Sequence, residues 1–340
     1  MSRFFESQSD IERALSNTPL CELGKEADIF RKKLNSNKAF YTVNGAVTYS
    51  NSCELLCPIC AFGRAKGAKD AYILSIEDAV ERTKTFKNAG AVEVHIIGGI
   101  NHDIPFSYYL DLIRAVKGVD EKINVVAFTV SECVMMSEIT GKSLEYVYKS
   151  LRDAGLGAIP GGGAEIFDST VRSKITPKKL SGAAWLNAQK TAHKCGIKTN
   201  ATMLYGHVEN AQNVAEHLKL LRDLQDETNG FKAFVPLPFR KGANCVIPSK
   251  SSAVYDCKIC SLARLALDNF PHIRVPVPHF TERFCQVLLS FGADDIGGTH
   301  WHEEVASSAG AKDEVLSEKT LVNCIQSAGF VPVKTKSNYE

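Results

Sequence analysis

The sequence predicts an α/β fold closed as a (β/α)8 barrel, and three observations carry that expectation. Apolar, β-rich stretches alternate with amphipathic ones along nearly all of the 340 residues. The alternating units number eight, and no long low-complexity linker interrupts them. Strict alternation predicts a parallel sheet with right-handed crossovers, and eight units are what a closed barrel requires. An open, doubly wound sheet is the alternative, because the fourth and seventh strand segments are weak. A single domain is expected over residues 1–340, with 1–40 as an N-terminal helical extension and 300–340 completing the barrel.

The strand segments fall at 43–49, 92–97 (VEVHII), 123–128 (INVVAF), 156–159, 198–203 (KTNATM), 231–235 (FKAFV), 272–276 and 292–296. Between them lie segments with readable ends. Ser75 with Asp78 three positions on is a capping-box signature, and Gly90 suits the left-handed stop of that helix. Ser181 opens another helix, on which Trp185, Ala188, Ala192 and Cys195 share one face before Gly196. Barrel folds collect their functional groups on the loops after strand C-termini, so those loops are where chemistry is expected.

Composition narrows the function. The chain is 44% hydrophobic and 23% charged, and its 40 basic and 38 acidic residues leave a formal charge of +2. That balance gives no electrostatic reason to expect nucleic acid or a membrane as partner. The first residues, MSRFFESQSDIERAL, lack a continuous apolar signal segment, and no apolar run approaches bilayer length. Eleven cysteines in such a chain are expected to be thiols in a reducing cytoplasm.

Three of those cysteines stand out. "SCELLCPICAF" places Cys53, Cys57 and Cys60 in a C-x3-C-x2-C pattern just after the first strand. Thiolates are soft ligands suited to iron–sulfur clusters, zinc or copper(I), and structural zinc wants four ligands. Three cysteines around a four-iron cluster leave one iron open, where the amino and carboxylate groups of S-adenosylmethionine (SAM) can chelate. A zinc-stabilised binding protein using the three cysteines and a fourth ligand is the reading from another class. A second pair, Cys257 and Cys260, lies in a helical segment and reads as core, with Cys245 its only upstream neighbour.

The triplet resembles the signature of the radical SAM superfamily. "HIIGG" at 95–99, "AFTVSE" at 127–132, "GGGAEIF" at 161–167, "KTNATMLYGHVE" at 198–209 and "LSFGADDIGGT" at 289–299 resemble its aminofutalosine synthase branch. Related members are the dehypoxanthine futalosine cyclase and the F0 synthase subunits. The resemblance runs from about residue 40 to about residue 335. It departs at Ile59, where the superfamily usually carries an aromatic residue near the adenine. It departs again after Gly99, where Ile100-Asn101-His102 replaces an expected Leu-His.

The resemblance implies a [4Fe-4S] cluster on Cys53, Cys57 and Cys60, with SAM as cosubstrate. Cofactor contacts are then expected from Ile59 and Phe62 on the cysteine loop, from Gly98 and Gly99, and from the carboxylates of Glu132 and Glu165. Gly161-Gly162-Gly163 would let a ligand approach closely. Asn200 and Thr202 alternate on the fifth strand and point inward to substrate. Tyr205 and His207 are expected at its mouth for carboxylate binding or proton handling, with Arg172 as a carboxylate anchor. The implied reaction adds the adenosyl radical to 3-[(1-carboxyvinyl)oxy]benzoate, giving 6-amino-6-deoxyfutalosine for menaquinone synthesis. An electron donor such as flavodoxin or ferredoxin is implied as partner.

Overall fold

The structure, a computed structural model, describes residues 3–242, 245, 247–310 and 316–339. Its strands are β1 (Lys38–Thr42), β2 (Asn44–Ser50), β3 (Glu93–Gly98), β4 (Asn124–Ala127), β5 (Ala158–Ile159), β6 (Lys198–Tyr205), β7 (Phe231–Pro238), β8 (His272–Ile273), β9 (Asp295–Gly298) and β10 (Val331–Lys334). β2 to β8 pair in parallel, in sequence order. β1 runs into β2 across Val43 and pairs with β9, while Arg274 after β8 bridges Asp295. Val275 N–H donates to Asp295 O at 2.7 Å, and Ala46 N–H to Trp301 O at 2.7 Å. The ring therefore closes: β1 and β2 act as one stave, β3 to β9 are the other seven, and the open-sheet alternative falls.

The eight expected strands are all present, with shifted ends. β5 and β8 are two residues each, so barrel closure there depends on neighbours more than on local β-propensity. The last stave starts at Asp295, not 292, because Gly292 (φ +100°) still belongs to the turn that ends the preceding helix. Residues 38–40, placed in the helical extension from sequence, belong to strand β1. Two helices, Gln8–Asn17 and Leu20–Asn35, precede it and pack on the Ala211–Thr228 and Ala253–Ala266 helices.

Local signals explain the helix ends. Ser75 Oγ accepts from Asp78 N–H at 3.0 Å at the start of Ile76–Asn88. Ser181 Oγ accepts from Ala184 N–H at 3.1 Å ahead of Gly182–Lys194, whose Trp185, Ala188 and Ala192 are buried. Cys257 and Cys260 are buried on the Ala253–Ala266 helix.

The chain's own tail closes the N-terminal end of the barrel. Ser337 donates to Glu93 through its N–H and Oγ, at 2.6 and 2.7 Å. Tyr339 stacks on His272 with ring centroids 3.7 Å apart, and the Arg274 guanidinium lies 5.4 Å above the Tyr339 ring. Glu93 and His272 begin their strands, so this plug lies opposite the loops where chemistry is expected.

Candidate active site

The cysteine loop leaves the C-terminal end of β2 and is clamped at its neck. Cys53 N–H donates to Arg64 O at 2.9 Å, and Arg64 N–H to Asn51 O at 2.8 Å. The Arg64 guanidinium turns back onto the carbonyls of Ala61, Phe62 and Gly63 and pairs with Asp70. This organiser escaped the sequence reading. Cys53 and Cys60 flank Gly63: Cys53 Cβ and Cys60 Sγ lie 3.5 and 3.7 Å from where a Cβ on Gly63 would stand. Cys57 is buried, and burial pushes its thiol up to about 11, so coordination is what would ionise it. Ile59 is partly buried against the core and Phe62 is buried in the same loop.

Among the described residues, no three His, Cys, Asp or Glu side chains could hold one metal ion. The chemistry of the donor set suits a four-iron cube, in which each of the three thiolates binds a separate iron.

The glycines after β3 are demanded by packing. A Cβ on Gly99 would stand 2.2 Å from Ser52 O, and one on Gly98 would strike the Tyr49 ring at 2.6 Å. The cysteine loop can press against β3 only across glycine. At Gly161 a Cβ would lie 2.7 Å from the Ala201 backbone, so the glycine run lets its loop lie directly on β6.

Four expected roles are corrected. Arg172 is buried, and its guanidinium donates to the carbonyls of Gly163 (3.3 Å), Ile166 (3.0 Å), Ala164 and Leu180. It holds the glycine loop and is not a free carboxylate anchor. Tyr205 is buried and donates to Asp256 on the Ala253–Ala266 helix at 2.9 Å. It has the opposite parity to Asn200 and Thr202, so strand alternation turns it out of the barrel. His207 is locked in its own turn, Nε2 against Leu204 O at 3.0 Å and Nδ1 beside Val208 N–H and the Glu209 carboxylate. Glu132 is buried as a helix cap: it accepts from Tyr49 Oη at 2.8 Å, Gly98 N–H at 3.2 Å and Thr129 N–H at 2.6 Å. Burial pushes its carboxyl up to about 7 against those bonds.

Asn200, Thr202 and Glu165 are buried. Asn200 Oδ1 is buried without a partner among the described residues, an acceptor that awaits a donor. Thr202 Oγ1 donates to Gly161 O at 2.7 Å and ties β6 to the glycine loop. Glu165 pairs with Lys179 at 2.6 Å. Burial opposes both charges, yet Lys179 holds Glu165 below its ordinary pKa, and Glu165 with Cys57 and Cys60 holds Lys179 above. Lys179 thus lies beside the cysteine loop although it is over a hundred positions away in sequence, and no motif marked it. His102, by contrast, is exposed between Glu54 and Glu138.

The residues 47–221 match the model of the Radical SAM superfamily. The chain is a member of that superfamily. Residues 228–340 match the CofH/MqnC C-terminal region. The chain is 37% identical over 319 residues to the aminodeoxyfutalosine synthase of Thermus thermophilus, covering 92% of this chain and 86% of the relative. It is 33% identical to 5-amino-6-(D-ribitylamino)uracil–L-tyrosine 4-hydroxyphenyl transferase 2 of Methanococcus maripaludis, over 93% of this chain and 91% of that one. Among solved structures, methylornithine synthase superposes with a TM-score of 0.76 over 98% of this chain and 95% of that chain. At 18% identity this last likeness concerns the fold alone. The protein is thus a radical SAM enzyme, of a superfamily that uses a [4Fe-4S] cluster and SAM, acts on small molecules and needs a reductant. Among the described residues no helix is long and apolar enough to cross a membrane.

Proposed function

We propose that this radical SAM enzyme is an aminofutalosine synthase, combining SAM with 3-[(1-carboxyvinyl)oxy]benzoate to give 6-amino-6-deoxyfutalosine for menaquinone synthesis. The observation that carries the reading is the 37% identity to the Thermus synthase across 92% of the chain. Cys53, Cys57 and Cys60 hold the cluster. When bound, the cluster supplies the electron that cleaves SAM to methionine and a 5′-deoxyadenosyl radical. The chain's own groups position the reactants and exclude water. The Glu165–Lys179 pair beside the cysteine loop offers one acceptor and one donor to the polar groups of SAM. Ile59 and Phe62 on the cysteine loop, and Gly98 and Gly99 after β3, are the further cofactor contacts in this reading, and Asn200 offers an inward acceptor. The tail plug on Glu93 and Arg274 seals the far end. Flavodoxin or ferredoxin is the proposed reductant, and the eleven free thiols suit a reducing cytoplasm.

The methanococcal transferase, at 33% identity, supports a second reading as an F0 synthase-type enzyme acting on tyrosine. Product analysis by mass spectrometry separates the two. The anaerobically reconstituted protein is given SAM labelled in its adenosyl part, with either the enol ether or tyrosine plus the ribityl uracil. The synthase retains the label in its main product. Release of the label as 5′-deoxyadenosine at every turnover refutes the synthase.

A further inference from the structure

A cavity of about 200 Å³ opens among the staves just below Gly98, where β3 contributes His95 and Ile97. Ala46 and Leu237 complete its apolar wall, and His279 and His300 enter from beyond β8 and β9. A cavity of about 150 Å³ admits benzene, so this one has room for a ring and a substituent. Glu93 fixes the hydrogen-bonding pattern on the polar side. Burial opposes the charge of that carboxylate, but bonds from His95 and Ser337 hold its pKa down at about 2. An ionised carboxylate only accepts, and Oε1 lies 2.7 Å from His95 Nε2, so Nε2 carries the hydrogen. Asn44 Nδ2 also stands 3.3 Å from that nitrogen, and the shorter, charge-assisted bond decides the tautomer. Nδ1 of the neutral ring is then an acceptor. It has no hydrogen-bond partner among the described residues, and the His95 side chain is 19% exposed although β3 is flanked by β2 and β4. The His300 ring stands 5.9 Å away, and its buried Nε2 is likewise unpartnered among the described residues.

The cavity has no cation to offer an anion. Burial pushes His279 down to about 4 and His300 well below its ordinary value, so both rings are neutral. Arg274 is held by Asp295 and Ser337, each at 2.9 Å, and Arg240 donates to His279 O. Glu303, also on the lining, caps the Glu304–Ser308 helix through Val305 and Ala306 N–H. A neutral group that donates a hydrogen fits what is left.

We infer that this cavity is a subsite for a neutral, hydroxyl-bearing group whose O–H donates to His95 Nδ1, with Ala46, Ile97 and Leu237 packed against its carbons. His95 is thereby a specificity-determining residue. It admits an O–H and turns away a carboxylate, whose oxygens would meet a lone pair. The inference holds for either reading of the substrate, and in the synthase reading the carboxylates of the enol ether bind elsewhere. Two hydroxyl sources share the required chemistry: the ribose of SAM, common to both readings, and the phenol of a tyrosine ring, which belongs to the second.

The test is titration calorimetry on the cluster-loaded protein with SAM, 4-methylphenol, 4-methylanisole and 4-methylbenzoate. His95→Leu removes the acceptor, and His95→Asn returns one, its amide oxygen standing near the place of Nδ1. If the ribose is the donor, His95→Leu weakens SAM about fivefold or more, and His95→Asn recovers most of the loss. If the phenol is the donor, SAM affinity is unchanged. His95→Leu then weakens 4-methylphenol on the SAM-loaded protein by about the same factor and leaves 4-methylanisole alone. Either result supports the subsite. Wild type carries the test without any variant: 4-methylphenol should bind the SAM-free protein about fivefold tighter than 4-methylanisole, with 4-methylbenzoate weaker than both. The inference is overturned if 4-methylbenzoate binds tightest, if 4-methylanisole matches 4-methylphenol, or if folded His95→Leu leaves both SAM and 4-methylphenol unchanged. None of these results depends on which product the enzyme makes, so the synthase reading stands or falls separately.

Discussion

Replacing Arg172 separates a scaffold from an anchor. In Arg172→Met the long apolar stem is kept, but the carbonyls of Gly163, Ala164, Ile166 and Leu180 lose their donors. A hydrogen bond to a charged group contributes about 1.5–3 kcal/mol, and an abandoned buried acceptor costs about 1–3 kcal/mol. Three of the four carbonyls, those of Gly163, Ala164 and Ile166, share one loop and relax together, so the contributions do not add. A loss of about 4 kcal/mol is the expected size, among the larger single-substitution effects. At about 2 °C per kcal/mol for a chain this long, the melting temperature should drop by about 8 °C. Arg172→Lys should recover only part, since one ammonium cannot reach four carbonyls as the planar fork does. Thermal unfolding and KM for the enol ether are measured on the same preparations. A variant that melts within about 1 °C of wild type while KM rises tenfold would refute the scaffold reasoning and restore the anchor.

The cysteines predict a clean split. Cys53→Ala, Cys57→Ala and Cys60→Ala should each lose activity and most cluster iron, whereas Cys257→Ala and Cys260→Ala, buried on a helix, should keep their iron by colorimetric assay. Glu132 gives a pH signature. Its carboxyl is raised to about 7 by burial, so between about pH 4.5 and about pH 7 the folded chain holds a proton the unfolded chain has released. That contribution to stability is present at low pH and lost as pH rises through 7. Urea unfolding across this range should lose that slope in Glu132→Gln, and a retained slope assigns it elsewhere. Tyr205→Phe removes one hydrogen bond to Asp256 and should cost about 1 kcal/mol of stability while leaving kcat within about twofold. A large fall in kcat with unchanged stability would return Tyr205 to the chemistry.

The local signals were those that depend on nearby residues. Ser75 and Ser181 mark helix starts because a cap needs only its own first turn. The C-x3-C-x2-C spacing names its chemistry because one short loop supplies the whole ligand set. Tyr205 was also legible: counting parity from Asn200 turns it out of the barrel. The sequence motif around it, "NATMLYGH", invited a catalytic reading that the alternation contradicts.

By itself, then, the sequence determined eight alternating units, their caps, and a thiolate triplet after the first strand. Only the tertiary structure decided which polar side chains are engaged and which are left open. Arg172 reads in sequence as a free cation near a glycine run, but the fold wraps that run around it. Lys179 carries no motif, and ring closure brings it to Glu165 and the cysteines. His95 and His300 are more than two hundred positions apart, on staves β3 and just after β9, and their rings meet at 5.9 Å. The physical reason is closure. A parallel barrel makes its first and last strands neighbours, so its interior chemistry is built from residues that no local pattern relates.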